Sequence, residues 1–418
     1  MNNTKITHYQ SRQYSTLNMD GFARKAVIQL LRRLQYGTIL LHDSEGEYIL
    51  GEDINDETPR AKITVHSPKF YRKVLFAGSI GAGEAYIEGL FEADDLTGLM
   101  RIMARNMSLV DTMEEGLAWL LWPFRRLSHI FKNNSRRGAR KNILAHYDLG
   151  NELYSTFLDP TMMYSSAIFP HNESSLEEAS VYKLETICKK LRLQRSDHLL
   201  EIGTGWGGLA IFAAQQYGCR VTTTTISNAQ YREARKRIEQ AGVSEYITLV
   251  RKDYRDLTGK FDKLTSIEMI EAVGYRYLSD FFKKCGSLLH DDGAMLLQAI
   301  TIQDQKFEKY ARSVDFIQRH IFPGGCLVSN RKMVELIATT TNMVVRGLDD
   351  YGNHYARTLE EWRRRFNSSF AQLKEHGFDE QFRRLWEFYL CYCEGGFRER
   401  SISVVQLVAT KPDNHSIM

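Results

Sequence analysis

Cysteine is sparse and unpaired in this chain. Six are spread over 418 residues, as Cys188, Cys219, Cys285, Cys326, Cys391 and Cys393, with no C-x-x-C spacing. That excludes a zinc ribbon and a small disulfide framework, gives no ground for expecting a metal, and fits a reducing cytosol. Long apolar runs are also missing. The longest candidate, LAWLLWPF at Leu117–Phe124, falls far short of the roughly 18 residues a spanning helix needs. The opening MNNTKITHYQSRQYS lacks the apolar region of a signal peptide. The chain is therefore expected to be soluble or peripheral. Net charge is only +4, so the global balance does not argue for nucleic acid. No internal repeat or low-complexity tract is present.

What is present is an ordinary globular composition, 43% hydrophobic and 25% charged, in a chain long enough for two domains. A polar tail over 1–20 reads as disordered. Residues 21–115 read as a compact α+β module: a helix at ARKAVIQLLRRL, strands at TILLH, EYIL and AKITVH, then helix, Gly-rich turn and helix through SPKFYRKVLFAGSIGAGEAYIEGLFEADDLTGLMRIMARN. The segment Gly116–Ala145 carries Arg125, Arg126, Lys132, Arg136, Arg137, Arg140 and Lys141 without one acid, and Trp119 and Trp122 at its apolar end. Such a basic amphipathic stretch suits a membrane surface, or a linker packed on the first domain.

From Ser174 onward, strands alternate with helices, the pattern of a parallel sheet covered on both faces. A helix with a capping box at Ser175 and Glu178 and an apolar face of Val181, Leu184, Cys188 and Leu191 opens it. A mainly helical insertion over 301–400 and a late strand at SISVVQLVAT close a domain spanning 146–412. The fold class expected is thus α/β, Rossmann-like, with a helical insertion and a smaller α+β domain ahead of it.

The stretch LLEIGTGWGGLAIFAA, Leu199–Ala214, places Gly203, Gly205 and Gly208 in G-x-G-x-x-G spacing between a strand and a helix. Glycines let the backbone approach a ligand, and the helix start offers free N–H groups. A dinucleotide site also wants an acid about twenty residues on. Here Thr222-Thr223-Thr224-Thr225-Ile226-Ser227-Asn228 follows instead, which counts against NAD. S-Adenosylmethionine suits the loop better: Glu201 and Gly203, Thr204 and Gly205 for its amino-acid portion, Thr225 and Gln230 for the ribose side, Asp253 and Tyr254 for adenine. A glycine turn that only packs strand on helix is the alternative.

HYDLGNELYSTFLDPTMMYSSAIF, His146–Phe169, followed in order by LLEIGTGWGGLA, VTTTTISNAQ, KDYRDL, IEMIEAVG, FIQRHIFPGGCL and YCEGGFRER, strongly resembles the cyclopropane-fatty-acyl-phospholipid synthases, relatives of the mycolic acid cyclopropane synthases. GAGEAYIEGLFEADDL resembles their N-terminal domain, so the likeness covers nearly all of the chain. It implies a class I methyltransferase fold with a lipid-engaging N-terminal domain. It also implies S-adenosylmethionine as cofactor and contacts to it from Tyr164 and Ser165. Glu271, Tyr355 and Cys393 match active-site positions. The implied reaction starts from a cis double bond of a phospholipid acyl chain. That bond takes the sulfonium methyl, a carbocation forms, and loss of a proton closes a ring, with bicarbonate as base.

At that last step the chain departs from the family pattern. Ser166 stands where Cys is usual and Gln298 where His is usual, both at positions that help hold bicarbonate; Ile300, Glu271 and Tyr355 keep their places. Ser and Gln still hydrogen-bond an oxyanion, but Gln does not titrate. The cation then has two fates: a ring, or a methyl- or methylene-bearing chain. The expected partners are a phospholipid bilayer surface at the inner face of the cell membrane, unsaturated acyl chains and a second copy in a homodimer, with no nucleic acid. The competing functions are an NAD oxidoreductase, a small-molecule methyltransferase and a non-catalytic lipid-binding relative. Cys393 and Tyr355 also read as packing residues, and Arg363-Arg364-Arg365 as a solvated helix face.

Overall fold

The computed structural model describes residues 19–52, 58–109 and 150–417. The basic stretch 116–145, most of the polar tail and the start of the HYDLGN signature lie outside the described residues. Among those described, no helix is long and apolar enough to cross a membrane.

The N-terminal unit is a four-stranded sheet of order β2-β1-β3-β4, built from β1 (Gly37–Asp43), β2 (Gly46–Glu52), β3 (Arg60–Val65) and β4 (Phe91–Ala93). Three helices pack with it: α1 (Met19–Leu31), α2 (Lys69–Ile87) and α3 (Leu96–Arg105). Alternation in β3, with Ala61, Ile63 and Val65 buried, turns one face of the sheet inward. Arg24 of α1 forks onto Asp43 of β1, which also accepts from Tyr71 of α2, so one buried carboxylate ties three elements together. Met19 and Asp20 belong to α1, so the helix starts inside the segment read as tail.

The expected helix, Gly-rich turn and helix are present: Gly78, with φ 54° and ψ −132°, is non-helical and divides α2 into two helical segments. Beyond the break the glycines also serve packing, since a Cβ on Gly83 would strike the ring of Phe316 in the C-terminal unit. Among the described residues the N-terminal unit has no core separate from that of the C-terminal unit. Val27, Ile39, Ile63 and Phe91 join one continuous apolar cluster with Phe316, Trp362, Trp386 and Phe388.

The C-terminal unit begins with α4 (Asn151–Ser155) and α5 (Leu176–Lys190) and holds a seven-stranded sheet. Its strands are β5 (His198–Ile202), β6 (Arg220–Thr224), β7 (Ile247–Val250), β8 (Phe261–Ile267), β9 (Leu289–Ile302), β10 (Val344–Asp350) and β11 (Ile402–Thr410), in the order β10-β11-β9-β8-β5-β6-β7. Six strands run in one direction, and β11 alone inserts antiparallel between β9 and β10. Helices α6 (Gly208–Tyr217), α7 (Asn228–Gln240) and α8 (Leu278–Ser287) cover its faces.

Region 301–400 supplies α9 (Asp304–Tyr310), α10 (Phe316–His320), α11 (Asn330–Thr340), α12 (Gly352–Glu375) and α13 (Glu380–Arg398). It also supplies β10, an exposed edge strand of sequence VVRGLDD that lacks the apolar signal of a buried one. Ser175 and Glu178 form the expected capping box. The face of α5 differs from expectation: Val181 is exposed, and Lys183 and Ile187 are buried beside Leu184 and Cys188. The run Arg363-Arg364-Arg365 is paired, with Glu394, Glu361 and Glu177 respectively, and lashes α12 to α13 and α5.

Candidate active site

Parallel strands leave a crevice beyond their carboxyl ends, and helix starts face it. At the end of β5 the chain turns through Gly203 (φ 97°), Gly205 (φ 54°) and Gly207 (φ 88°), left-handed values that glycine adopts without strain. Nothing lies within 4 Å of where a Cβ on Gly205 would be, so this part of the loop borders open space. Gly208 has an ordinary φ. It is needed because Thr161 O and Met163 Sδ crowd it, at 2.6 and 2.8 Å from a notional Cβ. Arg237 of α7 fastens the 160–161 backbone to the loop, donating to Pro160 O, Thr161 O and Trp206 O.

The other donor-side residues gather around this turn. Gly203 N–H and Thr204 N–H both donate to Thr224 O, pinning the loop to the end of β6. Glu201 is buried in β5 and accepts from Thr223 at 2.5 Å. Burial raises its carboxyl to about 7, against that hydrogen bond and the charge of Lys183. Thr225 donates to Gln230 at 2.8 Å, and Ser227 caps α7. Asp253, after β7, is gripped by Arg255 through two guanidinium contacts, and Tyr254 packs edge-on against Phe281. Open space at Gly205, a nearby carboxylate and a polar strand-end rim fit the amino-acid and ribose portions of S-adenosylmethionine.

The adjoining pocket is built on β8 and β9, and its centre is a residue that the sequence reading passed over. Glu268, just beyond β8, takes three hydrogen bonds: Oε1 from Ser166 N–H and from Gln298 Nε2, Oε2 from Tyr355 Oη, each 2.8 Å. Gln298 is oriented for this role. Its Oε1 accepts from Gln406, directly opposite on β11, which turns the amide N–H₂ toward Glu268. Glu268 has φ 49°, a conformation costing a side-chain-bearing residue roughly 1 kcal/mol. Burial raises its pKa, while the three donors and the charge of Lys183 hold it down. Three donors converging on one carboxylate is the arrangement of an ionised group.

Glu271, three residues on, is placed differently. One oxygen accepts from Ile300 N–H at 2.5 Å; the other is buried without a partner among the described residues. Burial, then the charge of Glu268, push it up to about 8, so it is largely protonated at neutral pH. Ser166 enters through its backbone N–H, whereas its hydroxyl donates away to Ala167 O. Ser165 accepts from Lys183 Nζ at 2.8 Å. Lys183 is fully buried, and desolvation lowers it to about 8. Tyr164 and Tyr389 share a hydroxyl hydrogen bond at 2.9 Å, and Tyr164 packs on Trp362. The Cys393 thiol, on α13, is raised by burial and by Asp315, which disfavours the thiolate a nucleophile would need.

The positions that the resemblance assigns to bicarbonate therefore do not fit that ion as they stand. Ser166 N–H, Gln298 and Tyr355 already serve Glu268, and Ile300 N–H serves Glu271. A further anion would meet two buried carboxyl groups and no spare donor from this set.

Glu268, Glu271, Tyr355, Ile300 and Cys393 line an apolar cavity of about 440 Å³. It extends between the two units to Val27, Ile39, Ile63, Phe91 and Leu99 of the N-terminal sheet and helices.

Comparison with known proteins agrees with this layout. The family model for mycolic acid cyclopropane synthetase matches residues 134–407. The chain belongs to that family. It is 36% identical over 359 residues to the tuberculostearic acid methyltransferase of Mycobacterium tuberculosis, covering 83% of each chain. It is 35% identical over 374 residues to the cyclopropane-fatty-acyl-phospholipid synthase of Escherichia coli, covering 86% of this chain and 90% of that one. A mycolic acid cyclopropane synthase solved with S-adenosylhomocysteine and CTAB superposes with a TM-score of 0.61 at 30% identity, over 65% of this chain and 98% of that one. This family member is an S-adenosylmethionine-dependent methyltransferase of the class I fold, acting on unsaturated lipid chains by methylation or cyclopropanation.

Glu268, Lys183 and Gln406 carry no mark in the motifs. The signals are indirect: SIEMIEAVG holds two glutamates three apart at a strand end, and Lys183 interrupts the apolar face of α5. Neither says which carboxylate collects the donors.

Proposed function

We propose that this chain transfers the methyl carbon of S-adenosylmethionine to a double bond in an acyl chain of a membrane phospholipid, at the inner face of the cell membrane. The observation that carries the acyl part is the 440 Å³ cavity, which runs from the paired carboxyl groups into the N-terminal unit. Its volume lies within the roughly 300–1,000 Å³ of ligand sites. CTAB is a single-chain amphiphile, and its presence in a related structure supports an alkyl chain as occupant. The N-terminal unit is then the lipid-engaging part, and the basic 116–145 stretch provides attraction to anionic headgroups.

When bound, S-adenosylmethionine supplies an electrophilic methyl carbon. Tyr164, Ser165, Glu201, Gly203, Thr204, Gly205, Thr225, Gln230, Asp253 and Tyr254 would hold it. The remaining work is done by this chain's own groups. The apolar cavity keeps water from a cationic centre on the acyl chain, and buried negative charge at Glu268 stabilises that centre. Ser166, Gln298 and Tyr355 fix the position of that charge. A small-molecule methyltransferase would need neither the long cavity nor the shared apolar core, and a non-catalytic lipid binder would need no buried charge network.

The test is incubation with methyl-labelled S-adenosylmethionine and unsaturated phospholipid vesicles. Label should enter the acyl chains, and NMR of the product distinguishes a ring from a methyl or methylene branch. Label confined to water-soluble products would overturn the reading.

A further inference from the structure

The resemblance places five residues of the acceptor pocket around a free anion: Ser166, Gln298, Tyr355, Ile300 and Glu271. Three of them donate instead to one side chain, Glu268. The amide of Gln298 cannot turn away without losing Gln406. Glu268 also reaches the wall of the apolar cavity, and its backbone holds a left-handed conformation that a glycine would adopt more readily. A planar carboxylate has the shape and charge of bicarbonate and brings its own tether.

We propose that Glu268 is the proton acceptor of this reaction, built into the chain where a dissolved anion would otherwise be held. This rests on the acyl-chain reading above. The π pair of the double bond forms the new bond to the methyl carbon, whose bond to sulfur breaks with its pair left on sulfur as a neutral thioether. The acyl chain is left as a carbocation. A C–H bond of the added carbon gives its proton to a Glu268 oxygen, which becomes a carboxylic acid until solvent removes the proton. The C–H pair closes the ring, or forms a methylene double bond when a 1,2-hydride shift has brought the cation next to the added carbon. A saturated branch would need a hydride donor and is not part of this step. Gln298 and Tyr355 act as positioning residues.

The experiment uses the full chain with dioleoyl phosphatidylglycerol vesicles, in buffer stripped of carbon dioxide and in buffer with added bicarbonate. The wild type should turn over equally in both. Glu268→Gln keeps the site filled and should lose about 100-fold or more in either buffer, the usual contribution of a positioned base. Glu268→Gly suits the backbone and opens a carboxylate-sized space. It should lose turnover to a similar degree and recover part of it with millimolar bicarbonate. Titration with ¹³C-bicarbonate, followed by NMR, needs no turnover: Glu268→Gly should bind the ion and the wild type should not.

The proposal is overturned if the wild type needs added bicarbonate, if Glu268→Gln retains near-normal turnover, or if the wild type binds ¹³C-bicarbonate as tightly as Glu268→Gly. A wild type that labels no lipid in either buffer refutes the acyl-chain reading instead, and the titration still decides whether Glu268 fills the anion's place.

Discussion

Two pockets lie at neighbouring strand ends of one sheet, and they are made of different material. Beyond β5, the donor pocket is mostly backbone: three left-handed glycines and open space at Gly205. Beyond β8, the acceptor pocket is made of side chains already bonded to one another, with Glu268 at their centre. On the proposed reading, the first would receive polar groups brought by the cofactor, and the second would hold charge ready inside an apolar cavity, with no reorganisation when positive charge develops. Recognition and charge stabilisation would then be kept apart, and damage to one should leave the other readable.

The sharpest break in that division is Gly205→Val. A β-branched residue at φ 54° is strained and fills the open space. Affinity for S-adenosylmethionine, measured by calorimetry, should fall about 100-fold, or close to 3 kcal/mol, while the acceptor pocket is untouched. Next is Tyr355→Phe, which removes one of three donors to Glu268. Turnover should fall roughly 10-fold or more, the scale of a lost hydrogen bond to a charged group, with cofactor affinity unchanged. That donor lowers the Glu268 pKa. Its loss raises the pKa, so the acidic limb of the rate profile should move to higher pH, although Lys183 and Glu271 still face the group. An unmoved profile would separate Tyr355 from Glu268.

Smaller effects probe the cavity and the second carboxyl group. Ile63→Trp would intrude from the N-terminal sheet and should shift preference toward shorter acyl chains by a few-fold, read by competition between lipids of different chain length. Equal loss for all lengths would argue that the chain does not reach that far. Glu271→Gln keeps the neutral form that Glu271 already favours, so turnover should stay within about 10-fold of wild type, far above Glu268→Gln. Its main signature is in stability. With a folded pKa of about 8, Glu271 keeps its proton while the unfolded chain releases it above about 4.5. The native state therefore binds more protons in that window, and stability falls as pH rises through it. The Tm of the wild type should drop more steeply between pH 5 and 8 than that of Glu271→Gln, with Glu201 and Lys183 contributing equally to both.

The same contrast explains what could be read from the residues. Gly203, Gly205 and the polar rim after β6 announce themselves because backbone demands are local: a turn needs glycine wherever it occurs. The alternation of strands and helices was legible for the same reason. Glu268 was not, because its role depends on Ser166, Gln298 and Tyr355, separated from it by 102, 30 and 87 positions. Resemblance pointed to Glu271 and to a dissolved ion, and Ser166 and Gln298 marked where the pattern changes without showing what replaced it. VVRGLDD failed as a strand signal because an edge strand need not be apolar. The Gly-rich break within α2 was legible too, because a left-handed φ such as that of Gly78 calls for glycine.

The apolar cluster of the N-terminal unit continues into the C-terminal helices, and several of the same residues line the apolar cavity. If an acyl chain fills that space, substrate is a structural component as well as a reactant, and occupancy should raise the melting temperature as the logarithm of lipid concentration. The enzyme would then be at its most labile away from the membrane and at its firmest on the bilayer that supplies the acyl chain.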